Sequence, residues 1–238
     1  MTKHDPYAAF RIPAFRFYAI GFFASLIGAQ IQGTAIGWEM YQRTGEPFAL
    51  GLVGLSIALP PMVLSLPAGY LADTFNRRNV VLFSMLGTTL TSLGLAFLSW
   101  TQSDVTPMYA LLILDAGITV LGSPAKRTLL PQIVPRDIFP NAVTVTWSLS
   151  LMKTGWMVGP ALGGLIIQFH IPAAYVASAA CTGFFIFILL RLEIRYAEEH
   201  SEDKQPPIQT LLEGFRFLNQ NRLLLWLMVL DMFAVLLG

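Results

Sequence analysis

The sequence predicts an all-α polytopic membrane protein. Three observations carry that prediction: charge is scarce, apolar residues dominate, and uncharged runs recur at the length a helix needs to cross a bilayer. Of the 238 residues, 55% are hydrophobic and 12% are charged, and the mean hydropathy is +0.60. Soluble domains carry about 25% charged residues, so this chain lacks the charge to cover a globular surface in water. Its apolar content equally excludes a disordered chain. A net charge of +1 offers no bulk attraction for nucleic acid. The single cysteine, Cys181, excludes an intrachain disulfide and a thiolate metal site of its own.

Crossing the hydrocarbon core takes about 20 apolar residues in a helix, and the gaps between charges supply six such segments. Phe17 to Trp38 contains no Lys, Arg, Asp or Glu, and neither does Pro47 to Ala72 or Asn79 to Ser103. Val105 to Ala125 holds one charge, Asp115. Ile138 to Leu190 holds only Lys153 and is long enough for two crossings. It divides at His170-Ile171-Pro172, because proline lacks an amide donor and suits the first turn of a helix. The predicted spans lie near 17–38, 49–71, 80–101, 107–124, 141–168 and 173–190.

A polar linker follows at 192–207, and Ile208, Leu211, Leu212, Phe215 and Leu218 then recur at helical spacing. That pattern predicts a short amphipathic helix, either lying on the cytoplasmic surface or packed on protein. A seventh apolar segment, 223–238, is still running at the last residue, so the chain reads as a truncated product or a fragment. The domain organisation is therefore a six-helix bundle over 1–195, a linker over 196–222 and an interrupted seventh span over 223–238. Thirteen of the 15 basic residues fall in segments on one side of these spans. The positive-inside rule then places the N-terminus in the cytoplasm, in a multi-pass protein of the cell (inner) membrane. The lipid bilayer is the first partner implied.

Three segments carry more than hydropathy. Residues 69–81, GYLADTFNRRNVV, join spans two and three. Gly69 permits close packing, and Asp73 can accept from a helix N-terminus or pair with a guanidinium. Asn76 tolerates a left-handed turn, and Arg77 and Arg78 anchor the loop at the membrane face. Residues 155–164, GWMVGPALGG, place Gly155, Gly159 and Gly163 on one ridge that lets another helix approach. Gly164 extends the motif, and Pro160 frees a backbone carbonyl and is expected to bend the helix. Residues 124–144, PAKRTLLPQIVPRDIFPNAVT, lie between spans four and five.

The first segment resembles the signature loop of the major facilitator superfamily, with Gly69, Leu71, Ala72, Asp73 and Arg78 matching and Asn76 where glycine is usual. The second is similar to the glycine-rich motif of that family's exporters. The third, with YQRTGEPFALGLVGL at 41–55, is similar to the bacterial drug, macrolide and siderophore branch, which includes enterobactin exporters. The resemblance implies the N-terminal half of a twelve-helix fold plus the start of helix seven, with Asp73 and Arg78 in a cytoplasmic latch. It further implies proton-coupled export of a small organic molecule, with the C-terminal half or a second copy as the partner needed for transport. A half-length, non-transporting membrane partner and a homodimeric half-transporter are the alternatives. In span four this chain has Asp115 where the family's antiporter motif often carries arginine.

Ionisable groups inside spans are costly and mark function by default. Asp115 and Lys153 sit about midway along consecutive antiparallel spans, so an ion pair is expected, either as a brace or as a charge-balanced proton carrier. In span one, Gly21, Ser25, Gly28, Gln32, Ala35 and Glu39 share a face. That stripe fits a cavity wall or a close helix contact, and the amide of Gln32 favours the cavity. Glu39 is expected near the outer interface and ranks below Asp115 as a coupling residue. Trp156 is a candidate for stacking on substrate. The sequence contains no metal-ligand spacing, phosphate-binding glycine loop or nucleophile elbow. It therefore predicts no cofactor, metal or catalytic centre.

Overall fold

The computed structural model describes residues 8–129, 133–134 and 151–192. Within them a short 3-10 helix, Ala8–Arg11, leads into six α-helices and no strand. These are α1 (Pro13–Thr44), α2 (Pro47–Thr74), α3 (Arg77–Trp100), α4 (Thr106–Leu129), α5 (Leu151–Phe169) and α6 (Ile171–Arg191). Five of them, α1 to α4 and α6, are long and apolar enough to cross a membrane. The first part of the predicted fifth span lies outside the described residues, as do the linker at 196–222 and the segment 223–238.

Local chemistry sets the boundaries. Proline occupies the first turn of α1, α2 and α6, where its missing N–H costs nothing. Gly45 ends α1 at φ +67, a left-handed conformation suited to glycine, and its N–H closes the helix on the Tyr41 carbonyl at 2.8 Å. The Asn76 side chain accepts from the backbone N–H of Arg78 and Asn79 and so caps α3. Its φ of −59 is not left-handed. The turn expected there is made by side-chain capping instead, because an extended Asn can offer its carboxamide oxygen to the first turn. α1 runs beyond the predicted 17–38 at both ends, since Arg16, Glu39 and Arg43 interrupt the apolar run without interrupting the helix.

Spatial order departs from chain order. α2 packs on α4, α4 on α3, α3 on α6, and α6 on α1, with lighter contact between α1 and α2. These five helices form a ring, and α5 lies outside it against α1. Two apolar clusters fill the ends of the ring. One, near the start of α1, gathers Phe15, Tyr18, Phe22, Phe185 and Leu189; the other gathers Ile36, Met40, Leu95, Met108 and Tyr175. Large apolar side chains such as Phe83, Phe97 and Met157 point outward, as lipid-facing residues do.

Helix association in lipid depends on close packing and polar bonds rather than on water exclusion, and both are present. A Cβ at Gly155 would come within 2.6 Å of Leu26, and one at Gly163 within 3.2 Å of the Ile31 backbone. Gly159 meets Gln30 in the same way, so the ridge seats α5 on α1; Gly164 faces open space. Gly28 lies equally close to Ser178 and Cys181 of α6. Pro160 lies within an α5 that continues through it.

Candidate functional site

Between the two apolar clusters these helices line a half-open cavity of about 280 Å³. Four helices supply its polar lining: Ser25 and Gln32 from α1, Ser92 from α3, Asp115 and Lys126 from α4, and Ser178 from α6. On α4, Asp115, Thr119, Gly122 and Lys126 follow the spacing that keeps residues on one helical face.

Asp115 is held by neutral donors. Thr91 Oγ1 donates to Oδ1 at 2.5 Å, and Gln32 Nε2 donates to Oδ2 at 3.3 Å. The Ser92 hydroxyl, 2.6 Å from Gln32 Oε1, orients that amide. The network thus ties α1, α3 and α4 together at mid-depth. The structure brings Gln32 and Asp115 together as cavity residues, and it does not bring Lys153 to either. Lys153 is exposed on α5, so the ion pair expected from sequence is not formed. Trp156 is also exposed, at 63%, on the same outer helix. The expected ion pair treated consecutive helices as neighbours, whereas α5 packs against α1 and, more lightly, α6.

Glu39 is 1% exposed and lies toward the far end of α1, beside the last turn of α3 and the first turns of α6. Arg43 pairs with it at 2.5 Å, the Tyr175 hydroxyl donates to Oε2 at 2.6 Å, and the Ser99 hydroxyl donates to Oε1 at 2.7 Å. Arg43 also donates to the carbonyls of Ser99 and Ser103, at the C-terminal end of α3. The acid expected near the outer interface is thus compensated by protein groups.

The loop after α2 is built as a tie. Arg78 Nη2 donates to the carbonyls of Leu189 and Leu190 at 2.8 and 3.0 Å. It thereby caps the C-terminus of α6, where a cation is favoured by the helix dipole. Its Nε is buried without a hydrogen-bond partner. Asp73 is exposed in the last turn of α2, and Gly69 is half-buried two residues before Leu71. Arg77 is half-buried in the first turn of α3.

Lys126, Ser92 and Thr91 were missed as site residues in the sequence. Lys126 sits among the basic residues that mark a membrane face, which hides its role. The available signal was its spacing of eleven residues from Asp115, three helical turns on the same face. For α3, the signal was Ser84, Thr88 and Ser92 recurring at every fourth position.

The fold is a polytopic helix bundle with a carboxylate facing a half-open cavity. Residues 4–236 match the family described as transmembrane secretion effector, and the chain belongs to that family, within the major facilitator superfamily. It is 29% identical over 189 residues to the uncharacterized MFS-type transporter YfiS of Bacillus subtilis (strain 168), covering 78% of this chain and 44% of that protein. It is 27% identical over 215 residues to the enterobactin exporter EntS of Shigella boydii serotype 4 (strain Sb227), covering 87% and 49%. The protein of the same name in Escherichia coli O157:H7 (strain EC4115 / EHEC) is 26% identical over 212 residues, with the same coverage. The chain spans about half the length of the curated relatives it matches, and the assignment is to the N-terminal half of the fold.

Proposed function

We propose that this chain forms half of a proton-coupled exporter of small organic molecules, working by alternating access with its N-terminus in the cytoplasm of the cell membrane. The observation that carries the reading is Asp115, a carboxylate facing the cavity and bonded only to the neutral groups Thr91 and Gln32. Such a group can gain and lose a proton without dismantling an ion pair, and ionisable residues facing an intramembrane cavity are the usual proton carriers. Siderophore-class compounds come first among substrates, because two of the relatives are named enterobactin exporters.

In this reading the cavity forms one wall of a midplane site between two bundles that rock against each other. The second bundle is the C-terminal half or another copy, since the chain spans about half the length of its relatives. Residues 196–222 would be the cytoplasmic linker and 223–238 the beginning of a seventh span. Asp73 and Arg78 would form the latch to the second bundle, with Arg78 Nε the donor still to be used. Glu39 and Lys153 become lesser coupling candidates, the first because Arg43 balances it and the second because it lies off the cavity.

The test is transport in everted vesicles from cells producing the protein, with enterobactin outside and a proton gradient imposed. Wild-type vesicles should accumulate it, and Asp115→Asn should abolish accumulation while keeping downhill exchange. Gradient-driven accumulation by the variant equal to wild type would sink the coupling role.

A further inference from the structure

Lys126 is the one feature of the cavity that proton coupling leaves without a task. It lies in the last turn of α4 beside Arg127, and the two adjacent basic residues behave differently. Arg127 is exposed, as a long basic side chain snorkelling to an interface should be. Lys126 turns inward and lines the cavity. Its ammonium lies over the rings of Phe22 and Phe185, at 5.1 and 5.3 Å from their centroids, and 3.5 Å from Ser25 Oγ. Among the described residues no carboxylate pairs with it. Asp115 is on the same face, but eleven residues along an α-helix separate the two by about 16 Å.

An ammonium has three donors, and among the described residues its polar and ring contacts are one long bond to Ser25 and two ring faces. Burying a cation without a counter-ion is costly, and a lysine at a helix end could have avoided that cost as Arg127 does. The missing partner is therefore expected in the cavity. We infer that Lys126, with Ser25, forms a binding site for the anionic group of the transported molecule, the rings of Phe22 and Phe185 lying behind the ammonium in the core. The class of ligand is an organic anion carrying a carboxylate or a similar oxyanion. The ammonium binds the oxyanion, and an apolar body lies against the apolar part of the cavity wall, which includes Ile36, Ile57, Met85 and Leu112. This deepens the transport reading by naming a substrate class for the same cavity, but it depends on binding alone and not on coupling.

The test uses a matched pair of probes, naphthoate and its neutral isostere naphthamide, titrated onto the detergent-purified protein by calorimetry. A charge-assisted bond to a desolvated ammonium should favour the anion by about tenfold in wild type. Lys126→Gln should bring the two affinities together by weakening naphthoate alone, and Lys126→Arg should keep a preference. Equal affinities in wild type would overturn the inference without any variant, so misfolding of Lys126→Gln cannot shelter it. A preference that survives in a folded Lys126→Gln would overturn it as well. A naphthoate preference lost with Lys126, alongside unimpaired accumulation by Asp115→Asn, would keep the anion site and reject the proton-coupling role. The reverse pair of results would do the opposite.

Discussion

The bundle holds one buried acid and one half-buried acid, and their surroundings could hardly differ more. Glu39 is enclosed at one end of the ring with a guanidinium and two hydroxyls, and its charge is balanced on its own helix by Arg43. Asp115 sits at mid-depth, facing a cavity, with two neutral partners. A carboxylate that meets a cation from its own helix and hydroxyls from two others braces three helices. A carboxylate held by neutral donors at a cavity wall keeps the freedom to change its charge. In the proposed reading, the company an acid keeps, and not its depth in the membrane, separates a structural acid from a proton carrier.

The largest effect should come from breaking the balanced acid. Glu39→Ala leaves Arg43 without its counter-ion and strips Tyr175 and Ser99 of their acceptor. Removing one partner of a buried pair costs roughly 3–5 kcal/mol, so thermal unfolding in detergent should show a clear loss of stability. A change too small to measure would mean that the cluster braces nothing. Asp115→Asn should do the reverse: little loss of stability, because Asn can still accept from Thr91, but loss of gradient-driven accumulation. If the two variants exchanged phenotypes, the contrast drawn between the acids would be wrong.

A smaller effect sharpens the comparison. Tyr175→Phe removes one bond to a charged acceptor and should cost about 1.5–3 kcal/mol, whereas Thr91→Val on Asp115 should cost closer to 0.6 kcal/mol, the average measured between membrane helices. Equilibrium unfolding of both variants under identical conditions checks the order. Asn76→Ala, remote from both acids, should cost about 1 kcal/mol through loss of the α3 cap, read as the same kind of shift. The smallest effects belong to Lys153→Gln and Trp156→Ala, which should change neither stability nor accumulation. A coupling defect in Lys153→Gln would restore it as a partner of Asp115 in some state of the protein.

Much of the fold was legible because the bilayer imposes one length on every crossing, and the gaps between charges reveal it directly. The glycine ridge on α5 was legible too, since three glycines at a spacing of four have few uses besides close approach. Asp115 and Gln32 could be found because a carboxylate or an amide within an apolar helix is conspicuous. The burial of Glu39 was not legible because two of the partners around it, Ser99 and Tyr175, come from distant helices. Lys126 was hidden by its neighbours, since a basic residue near a span end ordinarily serves as an anchor. The pairing of Lys153 with Asp115 was misjudged for a topological reason: periodicity gives the faces of a helix but not which helix each face meets.

The Glu39 cluster also bears on how the chain is made. Tyr175 follows Glu39 by 136 residues, which ribosomes synthesise on the order of 10 s. For that interval α1 must reside in the membrane before α6 exists to complete the cage around its acid. Arg43, one helical turn away on the same segment, is available from the outset. The local pair then acts as a temporary escort that balances the acid's charge in lipid until α6 arrives.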